Sequence, residues 1–570
     1  MRVDLPGIRR GEGFAFHFAG QPVEAFAGES LAAALTAAGA LALRTTAAGA
    51  SRGLFCGMGV CQECAVLVNG VPARACMTAA APGLQVEPAP ALAPAIETQT
   101  GAAELRRCDL LVIGAGPAGL SAAAAGRAAG LDVVLIDERS QPGGQYFKQP
   151  GKGFAVDPAA IDAQFAEGRS LAAMVAASGA VLLPGVQAWS ARLADGGVQV
   201  DCSGPNGALA ITARRLVLAA GAMERPWPMP GWTLPGVMTT GAGQTLLRAG
   251  LVAPGARVLV AGNGPLNLQL ADELVRAGVH VVAVAEQAPA PGPARLGAGL
   301  GALLDMLAGD AALVAAGVVQ LARLRRAGVQ VRHGHVVARA EGEGRVSRAL
   351  ITPAAGGAGE WFEIDALCIG AGFQPQLELP RQLGCVLAWQ DGGPLVVRDE
   401  AGRTSVASVF VAGDGGGLGG ARAALAQGWL AGAAAARDLL GPLPAALAAE
   451  QARREAALAR ARRFQRGLWK LFAPVPLARP LASPQTLLCR CEGVTFGAVD
   501  ALVAGGCSDP GSIKRATRLG MGRCQGRYCA PLLAARLAEA AGRSPSADDL
   551  FAPRPPFKPT RLADIAAAAP

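Results

Sequence analysis

Two βαβ patterns with glycine-rich loops, at 108–145 and 257–286, and two sets of cysteines near opposite ends of the 570-residue chain predict an α/β protein. Its expected architecture is a pair of tandem Rossmann-like units flanked by two small cysteine-bearing modules. The length accommodates roughly four domains at about 150 residues each. The formal charge of +9 is modest, and no long basic run or aromatic-interleaved basic stripe points to nucleic acid. The first twenty residues lack an apolar core of signal-peptide length, and the apolar stretches elsewhere are interrupted by glycines that read as turns of a soluble α/β unit. The expectation is a cytoplasmic chain. In that reducing compartment its 13 cysteines are more apt to hold metal than to form disulfides.

Residues 1–90 open with an alternating hairpin, FAFHF and VEAF around AGQP, followed by an apolar helix with Ser30 as its N-cap. Then come Cys56, Cys61 and Cys64 in C-x4-C-x2-C spacing, with Cys76 beyond a further hairpin. Soft thiolates suit an iron–sulfur cluster or zinc, and Gly57 and Gly59 allow a loop to turn its N–H groups toward sulfur. The spacing is that of plant-type [2Fe–2S] centres, and the whole segment resembles a β-grasp ferredoxin-like domain. A zinc knuckle is the alternative. Residues 91–106, rich in Ala and Pro, read as an extended linker.

The flavin-type region is expected over 107–442. An apolar strand at 110–113 runs into Gly114-Ala-Gly116-Pro-Ala-Gly119, a helix follows, and a second strand ends on Asp137. Gly114 permits the tight turn, Gly116 lets the backbone approach a pyrophosphate, and Gly119 lets the helix pack on the strand. Asp137 is placed to accept from ribose hydroxyls, and Glu138, Gly144 and Gln145 complete the expected cofactor-binding set. Residues 216–222, LVLAAGA with Ala220 and Gly221, and 409–414, VFVAGD with Gly413 and Asp414, resemble the later flavin-contacting segments of two-dinucleotide-binding-domain flavoproteins. That resemblance implies FAD at the first site. The Pro- and Gly-rich stretch 223–247 reads as an ordered loop near it.

The second fingerprint is altered. Gly262 and Gly264 are in place, but Asn267 stands at the third glycine position. Ala285 takes the place equivalent to Asp137, with Glu286 one residue late. Asn267 is expected to push the helix outward, so NAD(H) or another adenine nucleotide at this site and an unused pocket both stay open. His333 and His335 lie two apart on an expected strand and share a face, without a third ligand. Cys108, Cys202, Cys368 and Cys385 form no C-x2-C or C-x4-C beside the flavin segments, which excludes dithiol chemistry.

Residues 443–482 carry a basic helical stretch that ends in Leu468, Trp469, Leu471 and Phe472, read either as a membrane-surface or partner helix or as an interdomain helix. The last module, 483–570, holds Cys489 and Cys491 and then Cys524 and Cys529, the latter leading into a helix. It resembles the bacterioferritin-associated ferredoxin type of helical [2Fe–2S] domain, with x4 in place of its usual final x2. Zinc is again the alternative.

The motifs GAMERPWPMPGW, GNGPLNLQ, CRCEGVT and GMGRCQGRYC, with a ferredoxin-like domain, a flavoprotein core and a C-terminal cysteine domain in this order, resemble a group made up of the A and B chains of hydrogen cyanide synthase, the A chain of opine oxidase and the α chain of heteromeric sarcosine oxidase. The resemblance implies an α-type chain with FAD and two [2Fe–2S] clusters. It also implies a β-type FAD-dependent amino-acid-oxidase-like partner that oxidises the amine, FMN at the interface between the two, a respiratory electron acceptor, and peripheral association with the inner face of the cytoplasmic membrane. Unlike the sarcosine oxidase α chain, this sequence keeps all four N-terminal cysteines and lacks a large folate-related domain. Amine oxidation by this chain itself finds no legible set of residues: Arg139 and Arg225, near the flavin segments, read equally as surface or phosphate contacts. A stand-alone NAD(P)H-dependent flavin and iron–sulfur oxidoreductase, and a non-catalytic iron–sulfur scaffold or sensor, are the competing readings.

Overall fold

The structure, a computed structural model, describes residues 1–91, 101–290, 296–390 and 392–568. The greater part of the expected linker, 92–100, lies outside the described residues.

Alternating apolar residues build the N-terminal sheet, with strands ordered Gln21–Phe26, Gly13–Phe18, Gln85–Pro88, Ala65–Val68, Val71–Arg74. Phe16 and Ala25 point into its core against the helix Leu31–Ala37, whose apolar side chains are buried. The Ser30 hydroxyl accepts from the Ala33 N–H at 3.2 Å, as a capping serine does. The last strand of this sheet returns parallel to the first hairpin, the β-grasp arrangement.

Runs of Val, Leu and Ile without polar alternation make the next strands, because a parallel sheet is covered on both faces. Glu104–Ile113 lies between Val133–Asp137 and Gly207–Leu218, all parallel, with Val181–Pro184 beyond one and Val409–Val411 beyond the other. The strand Glu104–Ile113 starts before the expected boundary at 107, since its first half pairs with Leu209–Ala213 at the root of an antiparallel meander. The helices Pro117–Ala128 and Gly420–Leu440 pack together on one face. There Gly428 and Gly432 allow contact so close that a Cβ would stand 2.0 and 2.3 Å from the carbonyl oxygens of Ala118 and Ala122.

The second parallel sheet runs Val237–Thr239, Ala366–Gly370, Arg257–Gly262, His280–Glu286, Gln330–His333. His333 ends this sheet, Gly334 turns with φ +68, and His335 begins the separate antiparallel sheet His335–Glu341. The two histidines therefore share no strand face, contrary to the sequence reading. The stretch 223–247 is likewise only partly loop, because Thr239 caps a helix at Thr240–Gly250.

The helix Leu296–Arg326 went unread in the sequence. It is broken by a kink at Asp310 (φ −158, ψ 91), beside Gly309, while glycines 299, 301 and 317 are helical, and Gly299–Arg326 is long and apolar enough, by length and composition, to cross a membrane. It lies against Ala445–Leu471, where Gly309 and Gly467 permit the approach, while Leu300, Leu303, Leu304 and Leu307 stay exposed. Ala445–Leu471 is the expected basic helix, and its apolar end packs on the core through Leu468, Leu471 and Phe472. The C-terminal module is helical, with Phe496–Ala504, Pro510–Thr517 and Cys529–Ala540 around Leu488, Ile513 and Leu533.

Candidate functional site

The first glycine loop is built by steric necessity. Gly114 has φ +106, and a Cβ there would stand 2.4 Å from the Ala219 carbonyl oxygen. At Gly119 a Cβ would meet the Gly114 oxygen at 1.7 Å, so the helix Pro117–Ala128 docks on the turn as the fingerprint requires. Gly116 differs: its Cβ direction meets only Gly144 Cα at 3.7 Å. The helix N-terminus beside it thus opens on a cavity of about 430 Å³, where free N–H groups and the helix dipole favour an anion.

That cavity gathers Gly114, Gly116, Asp137, Glu138, Gly144, Gln145, Ala220, Gly221, Gly413 and Asp414, and from the second loop Gly264. Gly119, Gly262, Asn267 and Glu286 are not among its lining residues. Asp137 lines the cavity and is held in place by its own loop. Its two oxygens accept from the Ala115 N–H at 2.6 Å and the Arg139 N–H at 2.7 Å, so it holds the loop shut from behind. Glu138 is engaged by Lys558 and, at 3.2 Å, by Arg74. Asp414 accepts from the Gly419 and Gly420 N–H groups at 3.0 and 3.1 Å, anchoring the start of Gly420–Leu440.

Four charged groups in this cavity escaped the sequence reading: Lys148, Glu224, Glu378 and Lys558. Lys148 donates to Gln244 Oε1 at 2.9 Å and the Gly241 carbonyl at 3.3 Å, while both Glu224 oxygens accept from the Gly241 N–H at 3.0 Å. Burial pushes the Lys148 and Lys558 ammonium groups down and the Glu224 carboxyl up. No local pattern marks them, since Lys558 arrives from the far end of the chain with Phe557 beside it. Arg139 donates to the Gly57 carbonyl at 3.3 Å and Arg225 to the Phe373 carbonyl at 2.7 Å, so both bond to backbone carbonyls of other segments.

Cys56, Met58, Val60 and Met77 line the same cavity, so the first cysteine loop forms one of its walls. The sulfurs of this set associate in pairs, Cys56 with Cys61 and Cys64 with Cys76. The N–H groups of Met58 and Cys61 donate to Cys56 Sγ at 3.5 Å, and that of Glu63 to Cys61 Sγ at 3.4 Å. Burial pushes the Cys56 thiol up, but hydrogen bonds from Cys61 and from the Met58, Cys61 and Val60 N–H groups outweigh it and leave it below its ordinary value. At the C-terminal set, the Cys491 and Cys524 sulfurs are 3.4 Å apart, and the free thiol of Cys489 is hydrogen-bonded with those of Cys491 and Cys529. Among the described residues no three His, Cys, Asp or Glu side chains are grouped as ligands of one metal ion. Paired sulfurs with inward N–H donors fit a two-iron cluster, in which each iron takes two thiolates.

The second glycine loop corrects one expectation and supplies the partners of Asn267. A bulge between Val258 and Leu259 skips Val282, and this places Glu286 opposite Gly262, so Glu286 and not Ala285 is the counterpart of Asp137. Its oxygens accept from the Gly264 N–H at 3.0 Å and the Ala288 N–H at 2.9 Å. Asn267 does not leave a gap: its Oδ1 accepts from the Thr240 hydroxyl at 2.7 Å and its Nδ2 donates to the Gly370 carbonyl at 2.9 Å. Over this loop runs the segment after the long helix. Asn263 Nδ2 donates to the Phe472 carbonyl at 2.9 Å, and Gln287 pairs with Val475 through its side chain at 2.9 Å and its carbonyl at 3.3 Å.

Comparison with known proteins agrees with this geometry. Residues 108–428 match the family model of the pyridine nucleotide-disulphide oxidoreductases, 12–90 that of a 2Fe-2S iron-sulfur cluster binding domain, and 484–569 that of the sarcosine oxidase A3 domain. The opine oxidase A chain of Agrobacterium tumefaciens (strain Ach5) is 34% identical over 80% of this chain and 91% of its own. The protein belongs to the opine oxidase A-chain family. Within this family's wider circle, hydrogen cyanide synthase subunit HcnB of Pseudomonas aeruginosa is 33% identical over 76% of this chain and 93% of its own. The α chain of sarcosine oxidase from Rhizobium meliloti (strain 1021) is 32% identical over 50% of this chain and 26% of its own length. The L-proline dehydrogenase structure from P. horikoshii superposes with a TM-score of 0.72 at 24% identity, covering 99% of this chain and 98% of that one, and so shares the fold. The chain is an FAD-dependent oxidoreductase with a 2Fe-2S domain, related to subunits of heteromeric oxidases.

Proposed function

We propose that this chain is the α-type electron-transfer component of a heteromeric amine or amino-acid dehydrogenase, taking electrons from a partner flavoprotein and releasing them to a respiratory or dye acceptor. The carrying observation is that one cavity is lined at once by the first glycine loop and by the Cys56 loop. FAD would lie on Gly114, Gly116, Gly144, Gln145, Ala220, Gly221, Gly413 and Asp414. The Cys56, Cys61, Cys64 and Cys76 set, and the Cys489, Cys491, Cys524 and Cys529 set, would each ligate one [2Fe–2S] cluster. A flavin takes two electrons at once and such clusters carry one, which suits release to a one-electron carrier. Lys148 and Glu224 would hold protons at the flavin end of the cavity. The division into 1–90, 107–442, 443–482 and 483–570 follows these roles.

The partner in this reading is a β-type, amino-acid-oxidase-like FAD protein, with FMN at the interface between the two. Names of the relatives as subunits support a partner. The same reading locates the assembly in the cytoplasm at the inner face of the membrane, and the exposed Leu300, Leu303, Leu304 and Leu307 support such contact. The NAD(P)H oxidoreductase reading is disfavoured by the Phe472–Val475 segment hydrogen-bonded to Asn263 and Gln287 beside the second glycine loop. Dye reduction with glycine, proline, sarcosine and opines, measured with the isolated chain and with the co-purified partner, tests the proposal. Activity only in the complex is expected; robust oxidation by the isolated chain contradicts it.

A further inference from the structure

The two cysteine sets, far apart in sequence, meet through the residues beside their ligands. Arg490 stands between Cys489 and Cys491 and is buried. Its guanidinium carbon is 3.8 Å from the centroid of Phe55, the neighbour of Cys56, and 4.8 Å from that of Trp232. It donates to the Trp232 carbonyl and lies 3.8 Å from Glu63 Oε2, and Glu63 sits between Cys61 and Cys64. Glu63 Oε1 is 4.0 Å from Cys491 Sγ. Tyr528, the neighbour of Cys529, packs edge-on against Phe55 with centroids 5.4 Å apart.

Charge does not balance in this contact. Arg44 and Arg52 also turn to Glu63, at 2.8 and 3.6 Å, so three buried guanidinium groups surround one carboxylate. The Nε atoms of Arg44, Arg52 and Arg490, Glu63 Oε2 and the Tyr528 hydroxyl have no hydrogen-bond partner. Buried charge left uncompensated is costly, so this site calls for anions beside it. Four thiolates around two ferric ions and two sulfides make such an anion, and an added electron deepens its negative charge.

We propose that Arg490 is a positioning residue shared by both cysteine centres, clasping the C-terminal pair Cys489 and Cys491 against the Phe55–Glu63 loop and drawing the reduction potentials of the two centres upward together. This rests on the reading that each set holds a [2Fe–2S] cluster. Each reduction adds one electron to one centre, with no bond made or broken, and the excess guanidinium charge offsets it on either side.

The experiment is an EPR-monitored dithionite titration of the full-length, FAD-loaded chain as wild type, R490Q and R490K, with iron and zinc analysis of each. In R490Q both midpoint potentials are expected to fall while iron content holds, and R490K is expected to recover part of both shifts. A shift confined to one signal, or none, overturns the inference. Should R490Q fail to fold, the wild type still decides. With both centres reduced, their signals are expected to broaden one another, and two independent signals overturn the contact. Stoichiometric zinc in the C-terminal set overturns the cluster reading itself, and the inference with it. Two iron signals without a common shift overturn only the role of Arg490.

Discussion

The two βαβ units of this chain begin alike and end differently. Each has a glycine turn, a helix starting with Pro at its first position, and an acid whose carboxylate holds loop N–H groups: Asp137 on Ala115 and Arg139, Glu286 on Gly264 and Ala288. At the first, Gly116 looks onto an open cavity shared with a cysteine loop. At the second, the chain's own Phe472–Val475 segment is hydrogen-bonded across Asn263 and Gln287. Gly264 still faces the shared cavity, so the two loops differ in what is bonded beside them and not in whether they are open.

The contrast can be broken most severely at Gly116. Replacement by Ala should be tolerated, since a Cβ there makes only an ordinary contact, whereas Leu should fill the mouth of the cavity and abolish FAD retention, read as loss of flavin absorbance from a folded protein. At the second unit the opposite substitution is informative. Asn267→Gly restores the fingerprint glycine yet strands the Thr240 hydroxyl and leaves the Gly370 carbonyl only its bond from the Asn263 N–H, so it should cost about 1–3 kcal/mol in denaturant unfolding and create no NADH binding.

Glu286 gives a pH test. Burial raises its carboxyl to about 7 from 4.5, so the folded chain holds that proton more tightly than the unfolded one. Its contribution is therefore complete below pH 4.5 and is lost as pH rises through 7, by about 3 kcal/mol at most. E286Q should flatten the stability profile over that window. The smallest effect is expected at Gln287→Ala, which removes one hydrogen bond to the Val475 carbonyl and should lower stability by about 1 kcal/mol while leaving flavin content intact.

The first unit was legible because strand, loop, helix and acid are contiguous and each has a local steric reason. The cysteine sets were legible because the spacing of thiolates is itself the signal, and Ser30 because a capping hydroxyl acts on a backbone group three residues away. What escaped depends on distant partners. The displacement of Glu286 into register comes from a bulge defined only against the neighbouring strand. Lys558 reaches the first site, and Phe472 the second, from remote parts of the chain. The hydrogen bonds of Asn267 could not be read because its partners Thr240 and Gly370 lie on other elements. Leu296–Arg326 was missed because, of the glycines taken as turns, only Gly309 stands at a break, at Asp310, while 299, 301 and 317 are helical.

The most direct measurement is an anaerobic titration of the isolated, FAD-loaded chain with NADH and NADPH, followed by absorbance of the flavin and the clusters. With Phe472 and Val475 hydrogen-bonded to Asn263 and Gln287 beside the second glycine loop, neither nucleotide should bleach either chromophore, whereas dithionite should bleach both. Rapid stoichiometric bleaching by NADH would contradict the account, because it would make the second unit a working hydride-donor site and the chain a pyridine-nucleotide oxidoreductase in its own right.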